Sequence, residues 1–300
     1  MIQSIQSLIG HTPLVPITRL NPNPNVQIYA KLEGQNPGGS VKDRAALNMI
    51  TRALERREIT KDTKLIEATS GNTGIALAMI SSLLGMDMTL VMPNTATPER
   101  TATMKAYGAT VLLTDATKGG IEYSRTYAEA KVKEEGYYML NQFGNPDNWK
   151  AHFEGTGPEI WQSTQGRITH FVSAMGTTGT IMGTSRYLKS QNPNVQVVGA
   201  QPTDGSSIPG IRRWSQAFLP AIYSPEFVDL KIDVSRGEAD EMAGRLAKEE
   251  GIFCGISSGG AFAATCKLVQ TLKEGVVVFV VCDRGDRYAS VWAALGSNKG

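Results

Sequence analysis

Cysteine is scarce in this 300-residue chain. Its three cysteines (Cys254, Cys266 and Cys282) include no C-x-x-C pair and make no disulfide framework. Reduced thiols in a cytoplasm are the expectation. The three histidines (His11, His152 and His170) are scattered without ligand spacing, so no metal is expected. Charge of one sign is also lacking. The 30 Lys and Arg nearly balance the 28 Asp and Glu, for a net charge of +2, which argues against nucleic acid as a partner. The longest strongly apolar run, 276–282, is far short of the roughly 20 residues a membrane helix needs, so no membrane partner is expected. The first six residues lack the basic start and apolar core of a secretory leader. Proline, at 14, is ordinary. Glycine is in surplus. Average usage of about 7% would give roughly 21, and the chain has 31.

With 41% hydrophobic residues the chain can build a globular core, and its length suits about two domains. Strand and helix patterns alternate. Strands are predicted over 26–30, 65–68, 89–92, 110–113, 170–174, 195–200 and 276–281. Helices are predicted over 41–57, 75–84, 98–107, 121–135, 181–189, 238–250 and 260–269. The first helix gathers Ala46, Met49, Ile50, Ala53 and Leu54 on one face. This alternation implies an α/β fold with two mostly parallel twisted sheets, each with helices on both faces. The chain divides near residue 145, in the Asn-, Gly- and Pro-rich stretch 141–148. A long irregular segment, 204–223, is of a length that is usually functional or disordered.

Ligands of such sheets bind beyond the carboxyl ends of the strands, and four glycine-bearing turns lie there. In Asn36-Pro37-Gly38-Gly39-Ser40-Val41-Lys42-Asp43-Arg44, Ser40 is placed to cap a helix and Asp43 to close a capping box. Lys42 then sits at the positive end of the helix dipole. Two readings stand: a solvated lysine, or an amine of lowered pKa suited to a Schiff base. Thr69-Ser70-Gly71-Asn72-Thr73-Gly74 offers helix N-terminal N–H groups and three hydroxyls, a cradle for a carboxylate or an ordinary cap. Gly176-Thr177-Thr178-Gly179-Thr180 suits a phosphate monoester, or is a simple tight turn. It matches neither the P-loop, which needs Lys-Ser/Thr, nor G-x-G-x-x-G. Gly255-Ile256-Ser257-Ser258-Gly259-Gly260 is a helix cap that can also put a serine hydroxyl on a ring nitrogen. An amine, a carboxylate cradle and a phosphate cradle together suggest pyridoxal 5′-phosphate (PLP) handling an amino acid.

These residues resemble the fold-type II PLP enzymes, the tryptophan synthase β family. Residues 36–44 resemble the segment around the cofactor lysine, 69–74 the substrate-carboxylate loop and 176–180 the phosphate loop. Matches run in order from Gly10-His11-Thr12-Pro13-Leu14, through Thr156-Gly157-Pro158-Glu159-Ile160, to Cys282-Asp283-Arg284-Gly285. His11 departs from the asparagine usual there. Within the family the chain is similar to the cysteine synthases (O-acetylserine sulfhydrylases), most of all to their B type, which also accepts thiosulfate. Thr178, where the A type usually has glycine, carries that resemblance, together with the paired Arg212 and Arg213 and with Cys282.

The resemblance implies PLP in a cleft between a smaller, mobile lobe (1–12 and 35–146) and a larger one (13–34 and 147–300). It implies that Lys42 carries the cofactor and acts as general base. Asn72 would bond the cofactor's 3′ oxygen, Gly176, Thr177, Thr178, Gly179 and Thr180 its phosphate, and Ser257 its pyridine nitrogen. Thr69, Ser70, Gly71 and Thr73 would take the substrate carboxylate, with Gln142 closing over it. Arg212 and Arg213 are either a solvated face or the partner of thiosulfate's second charge, and Cys282 is a small buried side chain with a suggested role near the ring. The implied reaction makes L-cysteine or S-sulfocysteine and acetate from O-acetyl-L-serine and sulfide or thiosulfate. A sulfide-only A-type enzyme, a serine or threonine dehydratase and a non-catalytic relative are the alternatives. A homodimer without a regulatory tail is implied; docking of a serine acetyltransferase stays open.

Overall fold

A computed structural model describes residues 4–69, 71–290 and 292. In chain order the main elements are β1 (Leu14–Ile17), β2 (Val26–Leu32), α1 (Lys42–Glu55), β3 (Leu65–Ala68), α2 (Asn72–Leu84), β4 (Met88–Pro93), α3 (Pro98–Ala106), β5 (Thr110–Thr114), α4 (Gly120–Glu135) and β6 (Tyr138–Met139). Then come α5 (Pro146–Ala151), α6 (Gly157–Ser163), β7 (His170–Ala174), α7 (Gly179–Gln191), β8 (Gln196–Pro202), β9 (Leu230–Val234), α8 (Arg236–Glu250), α9 (Ile256–Val269) and β10 (Gly275–Val281). A π turn, His152–Thr156, joins α5 to α6.

The strands form two sheets, ordered β5-β4-β3-β6 and β1-β2-β10-β7-β8-β9. All pairings are parallel except the antiparallel β1–β2 edge. Both sheets are covered on both faces, and the two-residue period of a strand shows it. In β10, Val277, Phe279 and Val281 pack toward α8 and α9, while Val278 and Val280 face the side of α6 and α7. In β3, Leu65 joins the core of α1 and α2, while Ile66 and Ala68 meet Ala128 of α4. This is the α/β architecture the alternation predicts. Among the described residues no helix is long and apolar enough to cross a membrane.

Three helices at the glycine-bearing turns begin earlier than their apolar periodicity indicates. α2 starts at Asn72 rather than 75, α7 at Gly179 rather than 181, and α9 at Ile256 rather than 260. Their first turns are built of Gly, Ser, Thr and Asn, poor helix formers that mask the true start. The polar residues of the turns therefore lie in or just before first helical turns, where backbone N–H groups have no intrahelical acceptor. The capping box predicted at Ser40 and Asp43 does not form. Ser40 bridges to Asp283 and the Val41 N–H bonds Cys282 O at 2.8 Å, so residues 40 and 41 are tied to the end of β10. The Ser40 hydroxyl instead accepts from the Lys42 N–H at 3.2 Å. The Asp43 carboxylate turns back to the Gly38 N–H at 2.5 Å.

Candidate active site

The carboxyl ends of β3, β7 and β8 and the loop after β6 open on one cavity of about 660 Å³. Ten of the predicted site residues line it: Lys42, Thr69, Gly71, Asn72, Thr73, Gln142, Gly176, Thr177, Arg212 and Arg213. Ser70 lies outside the described residues. Thr178, Gly179, Thr180, Ser257 and Cys282 are not among the lining residues.

The helices heading the site lack side-chain caps. Gly71 at α2, Thr178 at α7 and Gly255 at α9 make no capping bond. By contrast, α8 carries a full Ser235–Glu238 capping box. Uncapped first turns leave N–H groups and the positive dipole end available to an anion.

The loop before α7 is held from several sides. Trp214 Nε1 donates to Gly176 O at 2.8 Å, and the Arg212 N–H donates to Met175 O at 2.8 Å. Asn148 Nδ2 reaches Gln142 O at 2.7 Å and Thr177 Oγ1 at 3.4 Å. A Cβ on Gly176 would meet Gly210 O at 2.7 Å, so only glycine fits there. Thr178 holds a left-handed φ of 72°, strained for a β-branched residue by roughly 1–3 kcal/mol. Its Oγ1 is buried with no partner in the protein. An orphaned hydroxyl on a strained residue at an uncapped helix head fits a phosphate ester. Behind it, Thr180 Oγ1 meets His152 Nε2 at 3.3 Å. Burial, then the charges of Arg44 and Lys42, pushes the His152 pKa down to about 3, so its ring is neutral.

Lys42 opens α1 at the cavity wall. Desolvation by burial lowers its pKa, against the opposing charge of Asp283. A desolvated amine with a larger neutral fraction is what a carbonyl-binding lysine needs. Cys282, beside it, is no thiolate: burial pushes its pKa up to about 12. Ser257 lies in the first turn of α9. Asn72 is fixed by residues the turn pattern did not reveal. Its Nδ2 donates to Asp283 Oδ2 at 2.6 Å, and its Oδ1 accepts from Arg287 Nη1 at 2.7 Å. The Tyr288 hydroxyl donates to the same Asp283 oxygen at 2.7 Å. Gln142 is buried, its Nε2 donating to Ala68 O at 3.3 Å.

The two arginines differ. Arg213 is engaged by Asp204 at 3.2 Å, by Asp233 and by Pro202 O at 2.8 Å. It anchors the irregular segment. Arg212 lies on the cavity wall with a long 3.9 Å pairing to Glu122 and its guanidinium over the Trp214 ring at 5.6 Å.

The family model for pyridoxal-phosphate dependent enzymes matches residues 5–283, and the chain belongs to that family. Its relatives there include cysteine synthases. It is 55% identical to cysteine synthase B of Pseudomonas aeruginosa over 287 residues, covering 96% of each chain. It is 51% identical to cysteine synthase B of Escherichia coli, covering 96% of this chain and 95% of that one. The solved O-acetylserine sulfhydrylase isoform 3 of Entamoeba histolytica superposes with a TM-score of 0.90 at 37% identity, over 97% of this chain and 90% of that one. The chain is a PLP-dependent transferase of the cysteine synthase family, a β-replacement enzyme forming a cysteine-type product.

Proposed function

We propose that the enzyme converts O-acetyl-L-serine and a sulfur nucleophile, thiosulfate as well as sulfide, into S-sulfocysteine or L-cysteine with release of acetate. The observation that supports this best is the single cavity shared by Lys42, the 69–73 turn, Gly176, Thr177 and Arg212. The phosphate of PLP is assigned to residues 176–180, its ring nitrogen to Ser257 and its 3′ oxygen to Asn72. When bound, PLP withdraws electrons from the substrate α-carbon. The head of α2 takes the substrate carboxylate on Thr69, Ser70, Gly71 and Thr73, and Gln142 closes over it. The Lys42 amine takes the α-proton as general base. The β-carbon–oxygen bond breaks, acetate departs with the pair, and the sulfur nucleophile forms the new bond to the β-carbon. Lys42 then returns a proton to the α-carbon. Ser257, neutral, does not hold a proton on a ring nitrogen as an aspartate would, which favours elimination over transamination.

Residues 1–12 and 35–146 form the smaller lobe in this reading, and 13–34 and 147–300 the larger. The four-stranded sheet draws all its strands from the first set, and the six-stranded sheet all of its strands from the second. Closure of the smaller lobe on substrate would exclude water. A homodimer follows from family resemblance, and sedimentation equilibrium is expected to read twice the 32.3 kDa chain mass. A monomer at working concentration would refute it.

Arg212 separates the two sulfur donors. A guanidinium on the wall suits the second charge of thiosulfate, and sulfide has none to offer it. Arg212→Ala is expected to lower kcat/KM for thiosulfate about tenfold and to leave that for sulfide within about twofold. The measurement is S-sulfocysteine formation from O-acetyl-L-serine with thiosulfate as sole sulfur source. If the parent makes none while sulfide gives cysteine, the A-type reading replaces this one. Pyruvate from serine alone would favour a dehydratase.

A further inference from the structure

Glu67 is a buried acid that the chemistry above does not use. It sits in β3, 2% exposed, two residues before Thr69. Its neighbour strand β6 is short: Ile66 pairs with Met139 and the ladder stops. Beyond that point the Glu67 side chain takes over. Its Oε2 accepts the Asn141 N–H at 2.8 Å. Asn141 is held in a left-handed conformation, φ 56°. Its carbonyl in turn accepts the N–H groups of Gly144 and Asn145 at 3.0 and 2.9 Å.

We infer that Glu67 is a positioning residue for the amino-acid substrate, its side-chain oxygen holding the turn at Asn141 so that the Gln142 amide faces the carboxylate loop. The inference rests on the proposed contact between Gln142 and the substrate carboxylate. An apolar strand residue of the same size would fill the space as well. Only an acceptor satisfies the Asn141 N–H left when the ladder ends, since a buried unmet N–H is costly. The path continues from Gln142 O through Asn148 Nδ2 to Thr177 Oγ1, so the same turn also touches the proposed phosphate loop. Burial raises the Glu67 pKa to about 8, against the backbone bonds and the more distant charge of Arg125 on α4. At neutral pH the acid is then largely uncharged, and its carbonyl oxygen does the accepting. A glutamine side chain keeps that oxygen and a leucine does not.

The test is steady-state kinetics of the PLP-loaded enzyme with O-acetyl-L-serine at saturating sulfide. Glu67→Leu is expected to raise KM for the amino acid about tenfold with kcat within about twofold. Glu67→Gln is expected to restore KM to within about threefold of the parent. In a Gln142→Ala background Glu67→Leu is expected to add nothing further, because the two act on one contact. Glu67→Met, flexible and of similar volume, serves the same comparison if circular dichroism shows that the leucine variant is not folded. An unchanged KM in the apolar variants, beside a raised KM in Gln142→Ala, overturns the inference alone. Full additivity, or a kcat loss as large as the KM rise, also overturns it. An unchanged KM in Gln142→Ala overturns both the substrate contact and the inference built on it.

Discussion

Replacing Lys42 with alanine is expected to cut turnover by at least about a thousandfold, the upper range for loss of a positioned general base. The variant should also lose the visible absorbance of covalently held cofactor. Both effects follow from one amine at the wall of the cavity, its pKa lowered by burial. The neighbouring thiol cannot substitute, because burial keeps Cys282 protonated to about pH 12. His152 cannot either: its neutral ring is held inside the protein, bonded to Thr156 and Thr180. The measurement pairs product formation from O-acetyl-L-serine and sulfide with an absorbance spectrum after dialysis against PLP-free buffer. Turnover within about tenfold of the parent would show that another group handles the α-proton.

The turns that face the cavity were legible in the sequence because they are made of rare combinations. Four small polar residues within five positions after a strand, as at 69–73, are more than a cap requires. What holds those turns was not legible. Asn72 depends on Asp283, Arg287 and Tyr288, more than 200 residues away in sequence, and no local pattern encodes such a pairing. The five minor elements β1, β6, α5, α6 and β9 were missed for a different reason. Each has seven residues or fewer, too few to display a period. The glycine surplus also reads differently in three dimensions. Gly71 faces open space, but a Cβ on Gly259 would strike the α8 backbone at Ala239 O, 2.1 Å away. One on Gly74 would strike Met104, and one on Gly179 would strike Asn148. Several of the extra glycines therefore let elements pack closely around the site.

Arg44→Met is expected to destabilise the protein by about 3–5 kcal/mol, the usual cost of removing one partner from a buried ionic cluster. Arg44 stands two residues after Lys42 and is itself buried. Its Nε and Nη2 fork onto Glu33 at 2.7 and 2.8 Å, and its Nη1 and Nη2 onto Glu159 at 2.7 Å each. Lys31 completes the cluster, donating to Glu159 and to Thr12 O at 2.6 Å. Two cations thus balance two carboxylates, and the cluster ties α1 to the end of β2 and to α6. Burial alone would raise both acids. The hydrogen bonds and charge of Arg44, with Lys31, overcome it, holding Glu159 at about 2 and Glu33 below its usual range. A carboxylate with a depressed folded pKa adds stability above its unfolded pKa of about 4.3. That stability is lost as pH falls through the folded value. The parent should therefore keep its neutral-pH stability until about pH 4 and lose it toward pH 2. In Arg44→Met, Glu33 is left buried without its main cation, so its pKa rises and the acid edge moves to higher pH. Urea unfolding at pH 7 and pH 4 reads both effects, and because the cluster anchors the helix that begins with Lys42, turnover should fall in parallel. A variant within about 1 kcal/mol of the parent at pH 7, with its acid edge unmoved, would show that the cluster is no stronger than an exposed ion pair.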